Sequence, residues 1–241
     1  MINLSKESLH PPHPKTTMTD SEETKKTYPL SDCPGSIETI TVKKIGTIIT
    51  VGESGVGKSM VANHMRYSES NKFKEHYGAT SVTIDCKYSP ALLTGWDVCD
   101  TPPLFDINKN NIDVIKAAFE KASLGLIKIC FVVTTIHDHI DPNQVRTLKG
   151  LMHALPSTCT YSIVVNLSNY GTVDQEKKCI ESFFERLDSS PKLHYPEQIL
   201  FFPDMYNNNV QAQVPNVLSY VHKMGSNKID NIGEIKQYNF E

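Results

Sequence analysis

The sequence has no apolar run of about 18 residues, so no segment is expected to cross a membrane as a helix. It has no Cys-x-x-Cys pair among its six cysteines, which argues against a zinc site. It has little arginine: Arg66, Arg146 and Arg186 are all there are. It has no strong excess of either charge. Its 24 Lys and Arg against 27 Asp and Glu leave a net charge of −3, so no basic field draws in nucleic acid. The first residues lack an apolar leader core and a Gly at position 2. The last four, Tyr238 to Glu241, are not a prenylation box. No intrinsic membrane anchor is therefore expected, and a cytoplasmic location is. Of the cysteines, Cys86, Cys99, Cys130 and Cys159 lie in or beside apolar runs and read as reduced core thiols. Cys33 and Cys179 lie elsewhere.

What is present is concentrated in one string, Gly52-Glu53-Ser54-Gly55-Val56-Gly57-Lys58-Ser59. It fits G-x-x-x-x-G-K-[ST], the phosphate-binding P-loop. Its glycines let the backbone turn several N–H groups toward one point. The N-terminus of a following helix adds more donors. Lys58 reaches the outer phosphates as a point charge, and Ser59 offers a hydroxyl to Mg²⁺. The flanks suit the motif. Residues 45–51 are short, apolar and β-branched, as a buried parallel strand should be. Residues 58–67 carry Met60, Val61 and Met65 at helical spacing. The candidate nucleotide contacts here run from Gly52 through Ser59 to Met60.

Residues 1–36 are rich in Pro, Ser, Thr, Lys, Glu and His and read as a disordered tail. From there strands and helices alternate. Strands are predicted over 45–51, 81–88, 95–99, 127–135, 161–166 and 199–203. Helices are predicted over 58–67, 110–124, 141–154, 173–188 and 210–224. Asp141-Pro142 reads as an N-cap followed by Pro at the first helical position. This alternation predicts an α/β fold over residues 37–225, a three-layer sandwich with a mostly parallel central sheet, and the resemblance given below implies that it is P-loop GTPase-like. Ligands of such sheets bind beyond the carboxyl ends of the strands. Residues 226–241 read as a short polar tail.

A P-loop needs an acid for its metal. Asp100 ends a predicted strand and can hold the water shell of Mg²⁺ while Ser59 ligates directly. Beyond it, the D-x-x-G of GTP-binding switches becomes Asp100-Thr101-Pro102-Pro103. Pro103 has no N–H for the γ-phosphate. Leu104 stands where Ras-like enzymes place a water-orienting Gln, and leucine cannot orient water. The base-reading N-K-x-D becomes Asn166-Leu167-Ser168-Asn169. Asn166 fits. Asn169 offers one acceptor and one donor where a carboxylate would offer guanine two acceptors, so base preference is open, and Asn169 also suits plain turn chemistry.

These residues resemble the immunity-associated nucleotide-binding GTPases, the IAN or GIMAP family, relatives of septins. The anchors are Gly52–Ser59 and Asp100-Thr101-Pro102-Pro103-Leu104-Phe105-Asp106, which is similar to that family's D-T-P-G-L-F-D. A further anchor is Ser81-Val82-Thr83-Ile84-Asp85-Cys86, similar to its S-V-T-x-x-C. The resemblance implies Thr83, or else Thr80, as the switch hydroxyl near Mg²⁺. Asn207 and Asn208 fall in a loose match to the last base-contacting loop. His139 stands where the family often has an arginine. The resemblance further implies GTP or GDP as ligand, Mg²⁺ as cofactor, and a homodimer or oligomer across the nucleotide face. Hydrolysis is expected to be slow or assembly-dependent. Two other readings stay open, a nucleotide-locked scaffold for protein contacts and an NTPase of altered base preference.

Overall fold

The computed structural model describes residues 44–66, 73, 85–90, 95–104, 112–122, 125–136, 139–168, 173–187, 196–203, 217 and 219–229. Apart from Lys44, these belong to one compact unit, Ile45–Glu241. The tail expected over 1–36 lies outside the described residues.

The chain alternates strand and helix, as the patterning predicts. β1 is Gly46–Val51, α1 Lys58–Met65, β2 Lys87–Pro90 and β3 Trp96–Asp100. α2 is Ile112–Ala122, β4 Leu126–Ile136, β5 His139–Ile140 and α3 Pro142–Ala154. β6 is Ser162–Ser168, α4 Val173–Leu187 and β7 Ile199–Pro203. Residues 217 and 219–223 are helical.

Among the described residues the strands lie in the order β2-β3-β1-β4-β6-β7, with β5 paired to the end of β4. The pairs β3–β1, β1–β4, β4–β6 and β6–β7 are parallel. β2 runs antiparallel to β3. Of the strand expected over 81–88, residues 81–84 lie outside the described residues, 85 and 86 are not in a strand, and β2 takes up 87 and 88 and runs on to Pro90. Proline is tolerated there because β2 pairs only with β3 in the strand order. β5 was not expected: two residues are too short for periodicity to show.

Alternation along the inner strands feeds two cores. Ile49 and Val51 of β1, Ile129, Phe131 and Val133 of β4, and Ile163 and Val165 of β6 pack with Phe119, Leu148 and Phe183 of α2, α3 and α4. Ile48, Val132 and Val164 point the other way, toward Val61 and Met65 of α1 and Val217 and Val221. Both faces of the sheet are thus covered, which is why β1 is buried along its whole length. Asp141 caps α3 as its sequence predicts, its Oδ1 accepting from the Asn143 N–H at 2.8 Å.

The polar tail expected from residue 226 begins inside the packing instead. Asn227 exchanges backbone hydrogen bonds with Ile127 at 2.8 and 2.7 Å. Its side chain accepts from the Thr160 N–H at 2.7 Å and donates to Thr160 O at 2.9 Å. Ile229 is buried in the core. A single asparagine supplying donors and acceptors to β4 and to Thr160 gives no apolar pattern by which sequence reading could find it.

Candidate nucleotide site

Three parallel strands, β1, β3 and β6, carry at or near their carboxyl ends residues expected to meet nucleotide. β1 runs into Gly52. Gly57, at φ 86°, stands in the left-handed region and leads into α1 with no side-chain cap. The first N–H groups of α1 therefore keep no capping partner from residue 57, as an anion cradle requires. Gly57 is glycine for a second reason. A Cβ there would overlap the Asn166 amide, which approaches from the end of β6. Asn166 Nδ2 donates to Val56 O at 2.9 Å and so ties β6 to the loop.

Lys58 is buried, and its Nζ donates to Glu53 O at 2.6 Å. Burial lowers its ammonium to about 8, partly opposed by the charges of Asp100 and Glu53. Its charge is therefore held ready for an anion that would restore full protonation. Glu53 is fixed from the other side, its Oε1 accepting from Thr147 Oγ1 of α3 at 2.6 Å. Ser59 Oγ donates to Asp100 Oδ2 at 2.7 Å. The two residues expected at Mg²⁺ are thus brought together although 41 positions apart.

The segment after β3 is bound to the loop through its backbone. Leu104 N–H donates to Gly52 O at 3.0 Å. Thr101 Oγ1 donates to Thr50 O at 2.7 Å, and Thr50 Oγ1 to Cys99 O at 3.1 Å. The Leu104 side chain is buried in the core with Ile49 and Phe119. It presents no polar group at the position where a water would need orienting.

The residues fit nucleotide and metal on these grounds. Asn166 Oδ1 is buried and has no hydrogen-bond partner among the described residues. A buried acceptor left so costs about 1–3 kcal/mol, which a donor on a bound base would recover. The Ser59 hydroxyl and Asp100 carboxylate make a hard oxygen pair of the kind Mg²⁺ takes alongside phosphate and water. No group of three or more His, Cys, Asp or Glu that could cage a metal occurs among the described residues. A Mg²⁺ held mostly by water and substrate needs none.

The other expected residues separate. Ser54 and Gly55 form the exposed tip of the loop. Val56 and Met60 bury their side chains in the α1 core, which leaves only their backbone for phosphate. Thr80, Thr83, Asn169, Asn207 and Asn208 lie outside the described residues. His139 is in β5, its backbone paired with Ile136. Arg146 and Arg186, distant in sequence, line one hollow with Lys149 on the α3–α4 side. Arg66 lies over the Phe73 ring at 5.6 Å. Sequence reading missed the Glu53–Thr147 brace and the Leu104–Gly52 bond. Neither leaves a local signal, since one joins the loop to a helix 94 positions away.

Residues 46–238 match the family model described as AIG1 family. No curated protein matches the sequence. Among solved structures, a dimerization-deficient mutant of Toc33 from Arabidopsis thaliana is similar at a TM-score of 0.56 and 15% identity, over 74% of this chain and 83% of that one. Toc33 from Arabidopsis thaliana in complex with Mg²⁺ and GMPPNP is similar at a TM-score of 0.50 and 12% identity, over 76% of this chain and 88% of that one. A mutant of Era from Aquifex aeolicus bound to GDP.AlF4- is similar at 0.51 and 18% identity, over 73% of this chain and 57% of that one. At such identities these likenesses establish a shared fold, an α/β sandwich built on a P-loop.

Proposed function

Because the chain belongs to the AIG1 family, matching it over residues 46–238, we propose that it binds guanine nucleotide with Mg²⁺ and hydrolyses GTP slowly. The observation that carries this reading is the Ser59–Asp100 hydrogen bond of 2.7 Å at the mouth of the P-loop. It supports a metal position built from the first turn of α1 and the end of β3. Each residue has a stated task. The N–H groups of residues 53–59 bind phosphate oxygens. Lys58 holds its proton against the outer phosphates. Ser59 and Asp100 hold Mg²⁺, which when bound neutralises phosphate charge. Asn166 orients the base through the acceptor it has to spare. The solved Toc33 complex with Mg²⁺ and GMPPNP, a protein of the same fold, supports the same ligand class.

Slow hydrolysis follows from what the site lacks. Leu104 is buried and apolar, so it orients no water. Pro103 gives no N–H to the γ-phosphate. Self-association across the nucleotide face would supply missing groups from a second copy. The likeness to a Toc33 variant described as dimerization deficient is consistent with that arrangement.

The test is chromatography of the nucleotide released when the purified protein is denatured, beside calorimetry of GTP and GDP. Guanine nucleotide in the wild type, and loss of Mg²⁺-dependent GTP binding in Lys58→Ala with the fold retained, are the expected results. Adenine nucleotide in the extract would favour the altered-base reading. Unchanged affinity in Lys58→Ala would reject the P-loop assignment.

A further inference from the structure

Glu53 puts a carboxylate into a loop whose task is to bind anions. It fills one of the variable positions of the motif, and an acid is the residue type least suited to phosphate. The fold decides where that charge is kept. Glu53 Oε1 accepts from Thr147 Oγ1 at 2.6 Å, and Thr147 is buried on α3. The carbonyl of the same residue accepts from Lys58 Nζ at 2.6 Å. Glu53 thus meets the phosphate lysine through its backbone and α3 through its side chain. The buried face of α3 is otherwise apolar except for Gln144. Gln144 is spent on the end of β4, accepting from the Thr134 N–H at 2.8 Å and donating to Thr134 O at 3.1 Å. Thr147 reaches the loop instead. A helical threonine often donates to the carbonyl three or four residues back. This hydroxyl donates to a carboxylate 94 positions away.

We propose, on the reading of the P-loop as a guanine-nucleotide site, that Thr147 is a positioning residue for the nucleotide. By holding the Glu53 carboxylate against α3, it keeps that charge off Lys58 and out of the phosphate cradle. Without the hydroxyl, the carboxylate loses its donor in a half-buried place, where an unmet acceptor is costly. The Lys58 ammonium already bonds the Glu53 carbonyl, so it is a donor that the Glu53 side chain can turn to. The ion pair formed there occupies the group meant for phosphate and leaves a negative charge beside the cradle. GTP and GDP then lose affinity together, because the competition is for the lysine and the loop. The device is an acid tolerated in an anion site because a distant helix holds it aside.

The test measures GTP and GDP dissociation constants by calorimetry with Mg²⁺ on the full chain. Thr147→Val keeps the shape of threonine and removes the donor. It is expected to weaken both nucleotides about tenfold, near the lower end of what a hydrogen bond to a charged group is worth. Thr147→Ser keeps the donor and is expected to restore the affinity. Adding Glu53→Gln to Thr147→Val is expected to recover most of it, since a neutral amide does not compete for the lysine. Lost packing alone would give the opposite pattern: serine would not rescue it, and a change in the loop would not repair it. Glu53→Asp shortens the acid away from Thr147, keeps the charge and leaves the helix core untouched. It is expected to weaken both nucleotides as Thr147→Val does, and it decides the matter should the valine variant fold poorly. Wild-type affinity in Thr147→Val or in Glu53→Asp would overturn the proposal. So would a loss in Thr147→Val that Glu53→Gln leaves unchanged. A wild type that binds neither nucleotide would overturn the guanine-nucleotide reading itself, and this role with it.

Discussion

Lys58 shows how much a single side chain is changed by where the fold puts it. In the sequence it is a motif lysine. In the structure it is buried, with its ammonium lowered to about 8 against an ordinary value of 10.5. An unfolded chain keeps the proton that the folded chain gives up, so between about 8 and 10.5 the folded protein gains stability as pH rises. Phosphate binding acts oppositely. An anion beside Nζ restores the proton, so binding above about pH 8 takes one up. GTP affinity is therefore expected to fall as pH rises through 8, by up to about tenfold per unit. Calorimetry in two buffers of different ionisation enthalpy at about pH 8.5 measures the proton directly. Equal apparent enthalpies in both would show that Lys58 does not meet the phosphates. Cysteine is the other residue-scale lesson. Cys86 reads as a core thiol yet is half-buried, and Cys179, outside the apolar runs, is buried on the amphipathic face of α4.

At the scale of elements, the segment following β3 is the one proposed to sense triphosphate. Its backbone is already committed at Leu104, whose N–H bonds Gly52 O. Pro103 beside it can donate nothing. Pro103→Gly is expected to raise the preference for GTP over GDP, by at most about 3 kcal/mol, because it restores one donor to a charged acceptor. The ratio of the two dissociation constants in wild type and variant is the measurement; an unmoved ratio would remove this segment from the γ-phosphate. The segment 226–229 makes a second element-scale case. Asn227→Ala leaves the Thr160 N–H and O without their side-chain partners, and a loss of about 1–3 kcal/mol in urea unfolding is expected. No loss would mean that water replaces the amide at no cost.

For the whole molecule, the P-loop motif from Gly52 to Ser59 is complete in sequence, while the proposed hydrolytic apparatus lacks side-chain donors at 103 and 104. One protomer offers buried Leu104 and a proline where a switch would carry donors. GTP turnover per protomer is therefore expected to be low and to rise with protein concentration, as a second copy completes the site. Phosphate release measured across a dilution series tests this. Rapid turnover that ignores dilution would place the hydrolytic groups within one chain.

The fold class and the P-loop were legible because both rest on local rules. Residues 45–51 are apolar and β-branched throughout, which suits a strand buried on both faces. The eight residues from Gly52 carry their chemistry within one turn of backbone. Asp141 beside Pro142 marked the start of α3 by capping alone. Asp100 and Asn166 were legible as candidates, since each ends a predicted strand. Only the tertiary structure decided that Asp100 bonds Ser59 and that Asn166 is seated against Gly57 with one acceptor to spare. It alone decided that Thr147 braces Glu53 and that Asn227 bonds to Ile127 of β4. Periodicity reports which face of an element is buried. It carries no information about which distant element comes to lie against that face, and every one of these contacts depends on that choice.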